Sequence, residues 1–178
     1  MGNAGLRKMP QVLVVGAEGS GKTTLVSGEK TEQPEPTQGY NHFEKNFLDK
    51  NSTGKRIGIW DVSGKEALKP LWSSYYKNIH FSGVIFVIDQ KQPDLEQSIR
   101  DLHYLTNEEE LRDSAFLVLF NVKNSPRDFK GRPTDELFDV IRRHELHMNT
   151  KVSCFEFNFK SYNEESTRSF QWLYENFE

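Results

Sequence analysis

The 178 residues of this chain predict an α/β layered domain built on a mostly parallel sheet. Three features carry that expectation. Apolar runs rich in β-branched and aromatic residues recur at 11–15, 57–60, 84–88, 115–120 and 152–157. The stretches between them carry helical spacing or turn residues, and strands that alternate with helices pair in parallel beneath a helical layer. Residues 16–23, Gly-Ala-Glu-Gly-Ser-Gly-Lys-Thr, fit the pattern G-x-x-x-x-G-K-[ST] at every fixed position, between an apolar run and a segment able to open a helix.

The elements follow in order. Gln11 to Val15 is apolar and β-branched, as a buried strand requires, and a helix starts at Lys22 and runs to Glu29. Residues 29–38, with Pro34 and Pro36 among polar neighbours, form a loop. Residues 40–48 and 55–61 flank the polar cluster Asp49-Lys-Asn-Ser-Thr-Gly54, which predicts an antiparallel hairpin, the one exception to parallel pairing. Further helices are expected at 66–77, 94–106, 134–147 and 163–177. The helix from Thr134 follows Pro133 and places acids early and bases late, as the helix dipole favours. In the last helix Phe170, Leu173, Tyr174 and Phe177 share one face, a stripe suited to core packing. There is no internal repeat and no low-complexity tract.

The length suits one domain with a core that needs no disulfide or structural metal. A single cysteine, Cys154, excludes an internal disulfide framework and fits a reducing, cytoplasmic setting. A formal charge of −3 argues against nucleic acid as a partner. No apolar run reaches the roughly 18 residues of a membrane span, and the start of the chain lacks a signal-peptide core. Gly2 would be exposed on removal of Met1, yet Leu6 stands where the myristoylation pattern asks for Ser or Thr.

The chemistry centres on residues 16–23. Glycines let backbone N–H groups turn toward phosphate oxygens, so Glu18, Gly19, Ser20, Gly21 and Thr24 are candidate phosphate contacts, with Lys22 as the cation and the Thr23 hydroxyl as a ligand for Mg²⁺. Phosphate loops serve several enzyme classes, and other residues must decide among them. Asp61 ends a buried strand and is followed three residues later by Gly64, the layout for a carboxylate near Mg²⁺ and an N–H near a terminal phosphate. Thr37, in the loop Pro36-Thr-Gln-Gly-Tyr-Asn41, can reach the metal when that phosphate is present.

These residues resemble the Arf/Arl-type small GTPases, whose patterns are GxxxxGKT, PTxGF/YN and WDxxGQxxxRxLWxxYY. The matching segments are Gly16–Thr23, Pro36–Asn41 and Trp60-Asp-Val-Ser-Gly-Lys-Glu-Ala-Leu-Lys-Pro-Leu-Trp-Ser-Ser-Tyr-Tyr76. The resemblance covers residues 11 to 90 closely and the remainder mainly in element order. It implies the small-GTPase fold, a six-stranded, mostly parallel sheet with one antiparallel hairpin strand and helices on both faces, spanning 11–178 after a short segment 1–10. It also implies GTP and GDP with Mg²⁺ as ligands, the metal being held by Thr23, Thr37 and Asp61. Tyr40, Trp60, Trp72 and Tyr75 would form an aromatic patch for effectors; by residue type alone these aromatics read equally as core, with Trp72, Tyr75 and Tyr76 partly buried. Exchange factors and activating proteins are implied as further partners of a monomeric switch in membrane or vesicle trafficking. The family accepts a small or apolar residue at position 6, which reopens lipidation at Gly2; one acyl chain beside Arg7 and Lys8 would hold a membrane reversibly.

Departures from the family pattern fall on functional positions. Lys65 stands where a glutamine orients the attacking water. An ammonium donates hydrogen bonds and accepts none, so intrinsic hydrolysis is expected to be weak or absent. Lys65 pointing into the phosphate site to balance charge, and Lys65 as a solvated surface lysine, are the other two readings. At the base, the family's N-K-x-D motif aligns with Val122-Lys123-Asn124-Ser125, which keeps Lys123 and loses Asn and Asp. A one-residue shift offers Asn121 and Asn124 as amide substitutes. Loss of a charge-assisted pair would lower guanine selectivity by roughly ten- to a hundredfold or more. The later guanine loop aligns with Ser153-Cys154-Phe155-Glu156, where Cys154 is kept and Phe155 is bulky. The hairpin turn at 49–54 is longer than in typical relatives.

Two readings of function therefore compete: a GTP-binding switch that recruits effectors, and a pseudo-GTPase scaffold with relaxed or lost nucleotide specificity. Lys65, Val122 and Ser125 favour the scaffold, whereas Lys22, Thr23, Thr37 and Asp61 favour the switch. A small-molecule kinase is a distant third, since the lid region 123–133 offers only Arg127 and Arg132.

Overall fold

The computed structural model describes residues 9–27, 36–48, 54–122, 134–143, 150–158 and 164–177. Six strands, β1 (Gln11–Val15), β2 (Tyr40–Leu48), β3 (Gly54–Val62), β4 (Gly83–Asp89), β5 (Ala115–Asn121) and β6 (Val152–Phe157), form one sheet in the order β2-β3-β1-β4-β5-β6. All neighbours pair in parallel except β2 and β3, whose ladder runs from Tyr40 opposite Val62 to Leu48 opposite Gly54. The expected hairpin and parallel sheet are both present. The turn residues 49–53, where a longer turn is expected, lie outside the described residues.

The central strands are covered on both faces, which explains their unbroken apolar runs. Alternation divides them: Leu13 and Val15 of β1 and Phe86 and Ile88 of β4 enter one core, while Val12, Val14, Ile85 and Val87 enter the other. The first core is closed by α2 (Trp72–Tyr76), α3 (Leu95–Thr106) and α4 (Thr134–Arg143), through Trp72, Tyr76, Ile99, Leu102, Leu105, Leu137 and Ile141. The second is closed by α1 (Lys22–Ser27) and α5 (Glu164–Glu175), through Val26 and Leu173. The stripe on α5 does pack the core. Leu173 is buried, Phe170, Tyr174 and Phe177 lie against that cluster, and a side chain at Gly83 would collide with Leu173 and Phe177.

One predicted helix takes a different form. Residues 66–77 are not a continuous α-helix but a 3₁₀ turn, Glu66–Leu71, that leads into the short α2. Pro70 lies inside that turn. It has no N–H to bond four residues back, and its ring crowds the preceding turn, so the tighter turn replaces the helix. Helix α3 begins as anticipated, with the Asp94 carboxylate accepting the N–H of Gln97 at 2.9 Å. The expected extensions of α1 to residue 29 and of α4 to residue 147 fall outside the described residues.

Phe116 lies at the centre of the first core with no exposed surface. Phe116→Ala should lower unfolding free energy by about 3–5 kcal/mol in urea titrations, whereas Tyr104→Ala, at a side chain 62% exposed, should cost less than about 1 kcal/mol.

Candidate functional site

The strands β1 and β3 end at the same edge of the sheet, and the glycine loop leaves β1 there. Gly16, Gly19 and Gly21 take φ values of +142°, +73° and +105°, which L side chains rarely adopt. At Gly16 a side chain would also strike the Val87 carbonyl of β4. The loop closes on itself through Ser20 N–H to the Ala17 carbonyl at 3.2 Å and passes into α1 through Leu25 N–H to Gly21 at 3.0 Å. Thr24 sits half-buried in the first turn, while Glu18 and Gly19 are exposed at the loop's tip.

Lys22 is buried beneath this loop, 5% exposed. Its ammonium donates to the carbonyls of Gly16 at 2.9 Å and Ala17 at 2.8 Å. Desolvation pushes its pKa down to about 8, with Asp61 and Glu18 pulling the other way. Three oxygens from distant segments converge beside it. Thr23 Oγ1 donates to Asp61 Oδ2 at 2.8 Å, Thr37 Oγ1 lies 3.4 Å from the same oxygen, and the two hydroxyls are 3.2 Å apart. Asp61 is fully buried and its Oδ1 has no hydrogen-bond partner among the described residues. Burial raises its pKa above the ordinary value, against the pull of Thr23, Lys22, Asn41 and Thr37.

A buried carboxylate with a spare oxygen, two hydroxyls and no sufficient positive charge is a donor set of hard oxygens that fits Mg²⁺. Among the described residues no group of three or more His, Cys, Asp or Glu is placed so that it could hold a metal ion, so a metal here would be shared with phosphate oxygens, not caged by protein. Gly64 packs on the loop so closely that a side chain there would collide with the Gly16 carbonyl, Ala17 and the Lys22 ammonium. Ser63 N–H donates to the Gly39 carbonyl at 2.7 Å, which ties the Thr37 segment to the end of β3. Lys65 is half-buried and its carbonyl accepts the N–H groups of Leu68 and Lys69 at the start of the 3₁₀ turn.

The aromatic residues divide into two groups. Tyr40, 49% exposed, stacks on Trp60 with ring centres 5.1 Å apart and meets Tyr75 edge-on at 5.5 Å, and His42 lies over Trp60 at 4.8 Å. The Trp60 indole N–H is held by Gln11 Oε1 at 2.8 Å, a positioning residue that its sequence neighbourhood did not reveal. Trp72 follows the core reading. It is only 5% exposed and donates its indole N–H to the Ser63 carbonyl at 3.0 Å, so it belongs to the core beneath the Gly64 segment and not to the exposed patch. Its amphipathic ring satisfies both demands at once.

Among the base-reading candidates the two alignments separate, and Cys154 and Phe155 need correction. Asn121, not Val122, occupies the strand end that faces the loop: its side-chain amide donates to the Ser20 carbonyl at 2.9 Å, and its Oδ1 is buried with no hydrogen-bond partner among the described residues. Val122 spends its N–H on the Phe157 carbonyl, extending the sheet. Asn121, which the shifted alignment names, is thus the residue that meets the loop. Lys123, Asn124 and Ser125 lie outside the described residues, as does Gly2. Cys154 and Phe155 are mid-strand, opposite Val118 and Leu119. Cys154 packs on the first core and Phe155 on the second, so neither sits in a loop beyond β6, which begins only at Asn158. The β-branched and aromatic run simply continues further than a motif alignment assumed.

A glycine loop that follows the first parallel strand, with a buried lysine below it and a strand-end aspartate beside it, defines the phosphate-loop nucleotide-binding class with the small-GTPase topology. The structure of the Arl6 BBS3 small GTPase from Trypanosoma brucei with bound nucleotide analogue GppNp is similar in fold, with a TM-score of 0.72 and 22% identity over 94% of this chain and 96% of that one. The family model of the ADP-ribosylation factor family matches residues 2–177, and the chain belongs to that family, whose class is the small GTP-binding switch proteins.

The charges around the loop make opposite contributions to stability. Lys22 has a folded pKa near 8 and an ordinary value of 10.5, so between these values the unfolded chain holds the extra proton and stability rises with pH. Lys22→Met should abolish that rise in thermal melts of the ligand-free chain. Asp61, with a raised folded value, contributes stability that is lost as pH increases through it. Asp61→Asn should therefore stabilise the ligand-free chain at neutral pH, by on the order of 1 kcal/mol, and flatten the acid side of its profile.

Proposed function

We propose that the chain is a GTP-binding switch that recruits an effector in its GTP form and hydrolyses the nucleotide slowly or not at all. The observation that carries this reading is the convergence of Lys22, Thr23, Thr37 and Asp61 from three separate segments on one end of the glycine loop. Lys22 would exchange its two carbonyl partners for phosphate oxygens, which accounts for a buried ammonium with so little countercharge. Thr23, Thr37 and Asp61 would hold Mg²⁺, which when bound neutralises phosphate charge. Gly64, with no side chain, would offer its N–H to the terminal phosphate, so that the segment that follows it feels whether that phosphate is present.

Asn121 supports a base pocket better than the unshifted alignment suggested, because its amide is already fixed against the loop. Asn124 in place of a carboxylate would still weaken guanine selectivity. The exposed Tyr40 and its neighbours Trp60 and Tyr75 are the surface we assign to effectors. Among the described residues no helix is long and apolar enough to cross a membrane, and membrane contact in trafficking would rest on reversible attachment at Gly2.

Mass spectrometry of nucleotide released from the purified chain, with ATP competed against GTP in the presence of Mg²⁺, is the direct test. GTP or GDP should be released, and GTP should outcompete ATP by at least about tenfold. Equal competition, or no binding at micromolar concentration, would replace the switch by a scaffold. Lys22→Ala should weaken nucleotide affinity by about a hundredfold or more, read as tryptophan fluorescence. Lys65→Gln should raise single-turnover hydrolysis by about tenfold or more without changing affinity, since it supplies an acceptor as well as a donor for water.

A further inference from the structure

A second site lies on the far side of the Gly64 segment from the loop. The 3₁₀ turn and α2 stand off from α3 around a cavity of about 260 Å³, with Pro70, Trp72, Tyr76 and Leu105 as its apolar lining and Glu66, Lys69 and Asp101 among its polar lining. That volume is below the ~300–1,000 Å³ of cofactor and small-molecule pockets and suits one large side chain. Tyr104, also on the lining, is 62% exposed and Leu71, next in sequence to Pro70 and Trp72, is 46% exposed. Large apolar residues that open to solvent beside a cavity are features of a docking surface.

Charge identifies the occupant. Lys69 is the only cation that lines the cavity among the described residues, and it is committed: its ammonium lies 2.6 Å from Asp101 and 2.7 Å from Glu66, and the Lys69 and Asp101 side chains are 11% and 14% exposed. Asp101 is further held by the Gln97 amide at 2.7 Å. Glu66 has a side chain 76% exposed and keeps its field toward solvent. Glu108 lies near the hydroxyls of Tyr76 and Tyr104, and Glu110 adds its charge beside Tyr104. On the lining two carboxylates, Glu66 and Asp101, thus face one ammonium, Glu108 and Glu110 add negative charge beside Tyr104, and the Tyr104 ring adds a face that attracts cations.

We propose that this cavity is a docking site for a partner protein segment that inserts one aromatic or large aliphatic side chain and places a lysine or arginine against Glu66, Glu108 and Tyr104. Its wall is continuous with Gly64 and held by the Trp72 to Ser63 hydrogen bond. The site is thereby separate from the Tyr40 patch while sharing a segment with the glycine loop.

The test is selection of a random-peptide display library on the full chain at physiological salt, followed by titration of a synthetic copy of the enriched peptide. Enriched peptides should pair a large apolar residue with a nearby basic one. Their affinity should fall by about tenfold or more in Ser73→Phe, which fills the cavity, and in Glu66→Lys, which reverses its rim, and should be unchanged in Tyr40→Ala. Circular dichroism melts check that each variant folds, and Glu66→Lys, at an exposed side chain, carries the test if Ser73→Phe does not. Enriched peptides without basic residues, binding lost in Tyr40→Ala but kept in Glu66→Lys, or no enrichment over an unrelated protein would overturn the proposal. So would a dimer in sedimentation equilibrium that Ser73→Phe dissolves, since a second copy would then be the occupant.

Discussion

The buried ammonium of Lys22, bonded to the carbonyls of Gly16 and Ala17, is the constraint around which this end of the molecule is arranged. A cation with almost no exposed surface must be surrounded by oxygen, and the loop supplies that oxygen by curling over it. Curling of this kind requires the positive φ angles of Gly16, Gly19 and Gly21. It also leaves no room for a side chain at Gly64, which closes the loop from the other side. The uncompensated Asp61 is the complementary fault: an anion close enough to influence Lys22 but not paired with it. Both groups are costly in isolation, and both costs are relieved by the same kind of ligand, phosphate for one and a divalent cation for the other.

That arrangement reaches the surface through short, specific links. Ser63 bonds Gly39 through its N–H and Trp72 through its carbonyl, so the residue before Gly64 joins the Thr37 segment to α2. Trp60 is fixed by Gln11 and supports Tyr40, which places the exposed aromatic rings one strand away from the loop. Pro70 has a related effect. By preventing a continuous helix it keeps the segment after Gly64 as a tight turn, and that turn stands away from α3 and leaves the acidic cavity between them.

The fold was largely legible from pattern. The runs at 11–15, 84–88 and 115–120 are buried on both faces and could be recognised because parallel strands of this kind leave no polar side to blur the signal. The hairpin at 40–48 and 55–61 was legible from its turn residues. The helix at 66–77 was not, because apolar spacing carries no record of which hydrogen bonds a proline removes. Cys154 and Phe155 were misplaced for a different reason. A motif alignment located them by resemblance to a loop, whereas pairing with Val118 and Leu119 shows them to be strand residues.

Lys22, Thr23, Thr37, Asp61 and Gly64 could be named from the chain alone, because their chemistry depends on residue type and on spacing within short motifs, and both are properties of the chain. What those motifs could not state was which oxygen faces which. The 3.2 Å approach of the Thr23 and Thr37 hydroxyls, the amide of Asn121 on Ser20 and the burial of Trp72 depend on segments far apart in the chain. Their register is set by the sheet and by packing on its two faces, and a shift of one residue in β5 or β6 exchanges a site residue for a core residue. Asn121 and Val122 differ by that single step, and only strand pairing selects between them.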